Sequence, residues 1–226
     1  MCKGNENRDS ASGLPRHSLP EGLEEYIENE IIPLYDGFDK AHRREHVKQV
    51  ISRAMDLVRL YPEADAATVY AAAAFHDTGM RAGREFHHLE SGRIIRGDRR
   101  LPDFFTPEEI EAIAVAAEDH RASSSHGPRT LCGAIVAEAD RQIEPRTIIR
   151  RTIQFGLEHE PQLDRAGQRE RAFAHLKEKY GRGGYLKLWL DKSDNAAALE
   201  SLRRIIDDEA RLEALFNEIY DETANS

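Results

Sequence analysis

The sequence predicts an all-α fold, and three observations lead to that prediction. Apolar residues recur at spacings of three and four along most of the chain, which is the period of a helix face. No stretch shows the period-two alternation that is typical of a half-buried strand. Proline and glycine fall between the periodic segments, where helices begin or end. We therefore expect a bundle of helices.

The composition is that of a soluble globular protein with a small ligand. The chain has 226 residues, of which 40% are hydrophobic and 32% are charged, and its net charge is -9. A chain of this length can bury a core of its own. The negative balance argues against nucleic acid polymers and anionic membrane surfaces as partners. A phosphorylated small substrate would need a metal ion or a local positive patch.

Cysteine usage and hydropathy point to a reducing compartment. The two cysteines, Cys2 and Cys132, form neither a disulfide framework nor a Cys-x-x-Cys metal pair. No stretch reaches the ~20 apolar residues that a membrane span requires, and the N-terminus has no apolar signal region. We therefore expect a cytoplasmic protein.

Composition divides the chain into a tail and one helical domain. Residues 1–18 are polar and cannot bury enough apolar surface to offset the entropy of ordering, so we expect a disordered tail. Residues 19–226 are expected to form a single domain, with 163–226 as a helical extension packed on it. The spacing of apolar residues in 196–220 predicts an amphipathic end to the chain. Completing the core is its simplest role, and capping the site or forming a homodimer are the alternatives.

The most informative stretch is residues 71–79, with the sequence AAAAFHDTG. A run of small apolar residues predicts a tightly packed, buried helix, yet this one ends in His76 and Asp77, whose burial is costly unless both are bound. Adjacent side chains on a helix point about 100° apart, so these two can converge only where the helix ends, and Gly79 is a suitable terminator. A cation would stabilise both. An ordinary helix end, with His76 on the last carbonyls and Asp77 capping the next turn, is the alternative.

Two further histidines lie on the preceding helix, which is predicted to begin near Phe38 and to end at Leu60. His42 and His46 are spaced by four in line with an apolar stripe, so both are expected to face inward. We expect His46 to be a metal ligand. His42 is either a functional group or a core histidine bonded to a carbonyl.

Three more inward polar residues are expected on the helices that follow. His88 is expected to share a face with Ser91 or Gly92 and with Ile95, which leaves its neighbour His87 in solvent. His120 comes at the end of the apolar stripe of a helix that starts at Thr106, where a capping signal and a proline stand. Asp140 lies four residues after Val136, and a buried aspartate needs a cation, an arginine or several donors.

Together these residues form a predicted ligand set of imidazoles and carboxylates. Such a set suits manganese, iron, cobalt, nickel or zinc, and suits magnesium less well because magnesium prefers oxygen. The number of ligands permits one ion, or two ions that share a bridging carboxylate. The predicted ligands are His46, His76, Asp77, His88, His120 and Asp140.

The order of these motifs resembles that of the HD-domain metal-dependent phosphohydrolase superfamily, and the small bacterial HD hydrolases most. The resemblance implies an HD-domain-like multi-helix bundle with a metal site between its helices. It also implies that one metal is held by His46, His76, Asp77 and Asp140. A second metal would be held by His88 and His120, with Asp77 as the bridge. The segments that carry the resemblance are Ala41-His42, His46-Val47, His76-Asp77-Thr78-Gly79, 87–92 and 138–141.

The expected reaction is hydrolysis of a small phosphate ester by metal-activated water. We expect a nucleotide as the substrate, because some of the HD hydrolases that the chain resembles act on nucleotides. Asp77 would bind the metal and orient the water, and His42 or His120 would donate a proton to the leaving oxygen. Arg81, in the connection that follows, would offset charge on the phosphate, with Arg84 and Arg141 as the alternatives. Two other functions stay open: a di-iron oxygenase of HD type, and a non-catalytic module that binds a nucleotide or a partner.

Overall fold

The structure is a computed structural model that describes residues 16–38, 43–124 and 126–224. Within these ranges the chain forms ten α-helices joined by short 3₁₀ and π-helical turns, with no strand, so the all-α prediction is confirmed. The chain forms two compact units, Met1–Asp140 and Arg141–Ser226. No described helix combines the length and apolar character needed to cross a membrane.

The first unit begins with a helical segment that changes its winding twice: α1 (Leu23–Tyr26), a π-helical turn (Ile27–Ile31) and a 3₁₀ turn (Ile32–Gly37). The remaining helices are α2 (Arg44–Leu60), α3 (Ala66–Phe75), α4 (His87–Gly97), α5 (Pro107–Asp119) and α6 (Leu131–Asp140), with 3₁₀ turns at Thr78–Ala82 and Leu101–Asp103.

Helix α3 is the centre of this unit. All of its residues are buried, as the alanine run predicts, and α2, α5 and α6 pack around it. Small side chains let these helices approach closely, so polar groups at the helix ends come near one another. Two side-chain caps fix the starts of the helices involved. Asp65 accepts the N–H of Thr68 at 2.8 Å before α3, and a capping box of Thr106 and Glu109 begins α5 at the predicted helix start.

The predicted disordered tail covers residues 1–18, of which residues 1–15 lie outside the described part of the chain. Arg16, at the end of the predicted tail, is bound to the first unit. Its backbone N–H and its Nε each donate to Asp65 Oδ2, at 2.8 and 2.9 Å, and its guanidinium stacks over the ring of Phe105. The start of the predicted helix at 38–60 also falls partly outside the described residues, and α2 begins at Arg44.

The second unit contains α7 (Pro145–His159), α8 (Arg165–Tyr180), α9 (Asn195–Asp207) and α10 (Glu209–Ala224). The amphipathic segment 196–220 is therefore split between two helices. The chain leaves helical geometry at Asp208, whose carboxylate accepts the N–H of Arg211 at 3.0 Å near the start of α10. The predicted start of a C-terminal extension at residue 163 falls between α7 and α8.

Candidate metal centre

The end of α3 carries two buried polar residues side by side. His76 and Asp77 are 0% and 2% exposed. The chain leaves helical geometry at Asp77, with φ of -109° and ψ of 7°, just before the 3₁₀ turn at Thr78–Ala82. Because the helix ends here, the two side chains converge, and His76 Nε2 lies 3.2 Å from Asp77 Oδ2.

One group of possible ligands surrounds the Oδ2 atom of Asp77. His46, near the start of α2, brings its Nε2 to 3.7 Å from this oxygen. Asp140, at the end of α6, brings its Oδ1 to 3.2 Å from His46 Nε2 and 3.9 Å from His76 Nε2. Ligand atoms of His46, His76 and Asp77 all lie within 4.8 Å of one another, a spacing that one metal ion can span.

A second group surrounds the other carboxylate oxygen of Asp77. His87 Nε2, at the start of α4, lies 3.3 Å from Asp77 Oδ1, and His120 Nε2, just after α5, lies 3.4 Å from the same atom. Ligand atoms of these three residues also lie within 4.8 Å of one another. Asp77 is thus shared by both groups, with one oxygen turned toward each.

The structure places His87, not His88, in this cluster, so the expected orientation of the pair is wrong. His87 is 9% exposed and shares the inner face of α4 with Ser91 and Ile95, which follow it at spacings of four. Its Nδ1 donates to the carbonyl of Arg84 at 2.7 Å, which fixes the ring at the first turn of the helix. His88 is half-buried, with its ring centroid 5.6 Å from that of His87.

Three of the imidazoles are oriented in the same way. The Nδ1 atoms of His76, His87 and His120 lie 2.8, 2.7 and 2.6 Å from the carbonyl oxygens of Ala73, Arg84 and Ala117, three residues earlier in each case. A ring nitrogen bonded to a carbonyl must carry the hydrogen, so in the neutral ring the lone pair is on Nε2. All three Nε2 lone pairs therefore point into the cluster. This carbonyl support of the second nitrogen is typical of histidines that bind metals.

The charges of the cluster favour a cation beside Asp77. Burial alone would lower the pKa of His76, but the charges of Asp77 and Asp140 outweigh it and raise this pKa to about 9. Burial would raise the pKa of Asp77, but the imidazoles of His76 and His120 outweigh it and hold this pKa well below its usual range. Burial and the neighbouring His120 lower the pKa of His87 to about 4, so its ring is neutral near pH 7. Because histidine binds metal in its neutral form, a metal ion in the cluster would replace the proton that His76 carries near pH 7.

The residues present fit a divalent metal centre. His76 Nε2 and Asp77 Oδ1 are buried, and neither has a hydrogen-bond partner among the described residues. His87 Nε2 and His120 Nε2 are 3.1 Å apart, so with both Nδ1 hydrogens given to carbonyls, two lone pairs would face each other. A cation between them removes that repulsion, whereas an empty core would leave unpaired polar atoms at a cost of ~1–3 kcal/mol each.

The remaining predicted site residues have different positions. The Asp140 side chain is 29% exposed, more than the side chains of the other members of the cluster. The first group is therefore open to solvent on the side of Asp140. Arg81 is exposed in the 3₁₀ turn that follows Asp77. His42 lies outside the described residues.

Sequence reasoning missed two residues of the site. His87 could have been found from its spacing of four to Ser91 and Ile95, both of which are 0% exposed. Tyr35 could not have been found, since no motif marks it. It is fully buried, and its hydroxyl hydrogen-bonds the backbone at the end of α3. Burial and the charge of Asp77 raise the pKa of Tyr35 well above its usual value, so the hydroxyl keeps its proton.

Comparison with known families agrees with this geometry. The family model described as HD domain matches residues 43–142, a range that contains every member of the cluster. The comparisons with curated proteins and with solved structures find no match for this chain. Most members of the HD domain family are metal-dependent phosphohydrolases. The motifs, the helical fold and the His/Asp cluster agree with this match and lead to one conclusion: residues 43–142 form an HD domain.

Proposed function

We propose that this protein hydrolyses a small phosphate ester, with a nucleotide as the expected substrate, at a centre of two divalent metal ions. The observation that carries the proposal is the position of Asp77, whose two oxygens each face a different group of imidazoles. A carboxylate in that position can bind two ions at once. In this proposal His46, His76, Asp77 and Asp140 hold one ion, and Asp77, His87 and His120 hold the other.

When bound, the ions would polarise a phosphoryl oxygen and lower the pKa of the water that attacks phosphorus. Asp77 would hold both ions, and the carbonyls behind His76, His87 and His120 hold the rings in the required tautomer. The protein has a net charge of -9, so a phosphate can approach only where a positive charge offsets the negative charge of the protein. Arg81, exposed four residues after Asp77, is the side chain that we assign to that role.

His120 serves as a ligand rather than a proton donor in this proposal. Its Nδ1 is bound to Ala117 and its Nε2 faces Asp77 and His87, so neither nitrogen is directed at a leaving group. The leaving oxygen then takes its proton from His42 or from solvent.

The test is a phosphate-release screen over nucleotides with manganese or cobalt, using the wild type and Asp77→Asn. We expect release by the wild type and only background release by the variant. Asp65→Asn is the matched control, because Asp65 is a partly buried aspartate that caps the start of α3, the helix that Asp77 follows, and it bonds with Arg16 and Thr68. Equal turnover by the wild type and Asp77→Asn would contradict the proposal.

A di-iron oxygenase is the second candidate, because four imidazoles and two carboxylates also suit iron. Iron in the purified protein together with oxygen consumption would favour it over the hydrolase. Tight binding of a nucleotide without turnover under any divalent metal would instead favour a binding module.

A further inference from the structure

The backbone at the end of α3 has an unusual pattern of hydrogen bonds. In an uninterrupted helix, the N–H of Asp77 would donate to the carbonyl of Ala73, and the carbonyl of Ala74 would accept from residue 78. Here the Ala73 carbonyl is bound by the Nδ1 of His76 at 2.8 Å. The two groups next to it, the Ala74 carbonyl and the Asp77 N–H, are buried and need other partners.

Both groups find their partner in one side chain. The Tyr35 hydroxyl donates to the Ala74 carbonyl at 2.8 Å and accepts from the Asp77 N–H at 3.3 Å. Tyr35 belongs to the 3₁₀ turn Ile32–Gly37, is 0% exposed, and packs edge to face on Phe38. A single hydroxyl therefore bridges the two backbone groups at the end of α3, where His76 and Asp77 enter the cluster.

We propose that Tyr35 is a positioning residue of the metal centre: its hydroxyl holds Asp77 in the non-helical conformation that turns one carboxylate oxygen toward each imidazole group. This inference rests on the metal centre of the proposed function, and not on the reaction. Tyr35 does not reach a metal itself, because its oxygen is occupied by the two backbone groups.

The helix break requires such support for a physical reason. Asp77, with φ of -109° and ψ of 7°, has left helical geometry, so its buried N–H needs a partner outside the helix. The Thr78 hydroxyl donates to the Phe75 carbonyl at 2.8 Å and supports the other side of the break. Without the Tyr35 hydroxyl, the buried Asp77 N–H would regain a partner by returning to the helical bond with the Ala73 carbonyl, which requires helical geometry at Asp77. The carboxylate of Asp77 would then leave its position.

Tyr35 also lies outside the range that the HD family model covers, which begins at residue 43. The N-terminal helical segment would thus contribute to the metal centre, and not only to the core. A chain that begins at the matched domain would lack this support.

The test compares Tyr35→Phe with Tyr26→Phe. Phenylalanine keeps the ring and removes only the hydroxyl. Tyr26 is the matched control because it lies in the same N-terminal segment, is 4% exposed, and donates its hydroxyl to Asp98 at 2.6 Å, away from the cluster. The readouts are the melting temperature of the metal-free protein, the manganese affinity by calorimetry, and the visible spectrum of the cobalt-loaded protein.

Both variants are expected to lower the melting temperature, since Tyr35→Phe loses a buried hydrogen bond and Tyr26→Phe a partly buried one. Only Tyr35→Phe should weaken metal binding, by about 10- to 100-fold, the effect usual for groups that orient ligands, and only it should change the cobalt spectrum. Wild-type affinity and spectrum in Tyr35→Phe would overturn the inference. Metal binding by the wild type without hydrolysis would overturn the proposed function alone, and absence of metal binding would overturn both.

If Tyr35→Phe does not fold, amide hydrogen exchange of the wild type tests the inference instead. The Asp77 amide of the metal-free protein should exchange as slowly as the amides of α3, because its bond to Tyr35 exists before metal binds. Fast exchange of that amide in a protein whose α3 is protected would overturn the inference.

Discussion

The Oδ1 atom of Asp77 lies 3.3 Å from the Nε2 atom of His87, the first imidazole of the His87-His88 pair. His87 enters the cluster because α4 begins at this residue, and its ring is fixed by the carbonyl of Arg84. This contact brings α4 to the same carboxylate that α2 approaches from the other side. Asp77 therefore connects two groups of imidazoles, His46 with His76 and His87 with His120.

The two histidines of this pair should differ in their effect on metal content. His87→Ala should reduce the bound metal from about two ions to about one per chain, because it removes a ligand from the second group only. His88→Ala is the matched control, since its ring lies outside both groups. Elemental analysis of the purified variants measures this. Loss of an ion in His88→Ala but not in His87→Ala would show that our assignment of the pair is reversed.

Gly79 keeps α4 close to Asp77. A Cβ at this position would overlap the His87 carbonyl oxygen and lie 2.5 Å from the Ser91 nitrogen, and the Gly79 N–H already donates to the Ser91 hydroxyl at 2.9 Å. Gly79→Ala should therefore displace the start of α4, lower the free energy of unfolding by about 1–3 kcal/mol, and weaken binding of the second ion. Denaturant unfolding and metal titration measure the two effects.

Gly97→Ala is the control for this substitution, because a Cβ there would meet nothing within 4 Å at the other end of α4. Alanine in a helix is favoured over glycine, so the control should be neutral or stabilising by up to ~1 kcal/mol. Unchanged metal binding in Gly79→Ala would contradict the role given to this close approach.

The central features of the site could be predicted because they depend on local patterns. The alanine run before His76 predicts a buried helix whatever surrounds it, and the spacing of His46 to Val50 and Ala54 places all three on one buried face. The proline and the capping box at Thr106 likewise predict where α5 begins. These signals need no knowledge of the neighbouring helices.

Other features depend on contacts between elements distant in the chain. His87 and His88 are about 100° apart at the first turn of a helix, and the choice between them depends on the contact of α4 with Gly79. Tyr35 acts through the backbone at the end of α3. No sequence motif marks a tyrosine whose hydroxyl forms hydrogen bonds with backbone groups, so this residue could not be predicted. The break at Asp208 interrupts an apolar pattern that continues across it, so periodicity alone could not reveal two helices.

Asp65 should contribute to stability in a pH-dependent way. Burial would raise its pKa, but its hydrogen bonds with Arg16 and Thr68 outweigh that effect and lower it below its usual value. A carboxylate with a lowered folded-state pKa stabilises the fold fully above its unfolded pKa of about 4, and this contribution is lost as the pH falls through the folded value. We expect the free energy of unfolding of the wild type to exceed that of Asp65→Asn by about 1 kcal/mol at pH 7. This difference should shrink below pH ~4.

Asp65→Ala separates the charge from the cap. Asparagine can still accept the Thr68 N–H before α3, whereas alanine cannot, so Asp65→Ala should cost about 1 kcal/mol more than Asp65→Asn at every pH. Thermal unfolding between pH 3 and 7 measures both. A difference between wild type and Asp65→Asn that stays constant down to pH 3 would contradict the ion pair with Arg16.

The most direct test of the account is the metal content of the protein purified without added metal or chelator, measured by elemental analysis beside Asp77→Asn. An asparagine oxygen cannot bridge two ions as a carboxylate does, so the wild type should contain about two divalent ions per chain and the variant should retain neither. Circular dichroism of the variant should still show a helical protein. A wild type that binds no metal even after manganese is added, or a variant that keeps both ions, would contradict a centre built on Asp77.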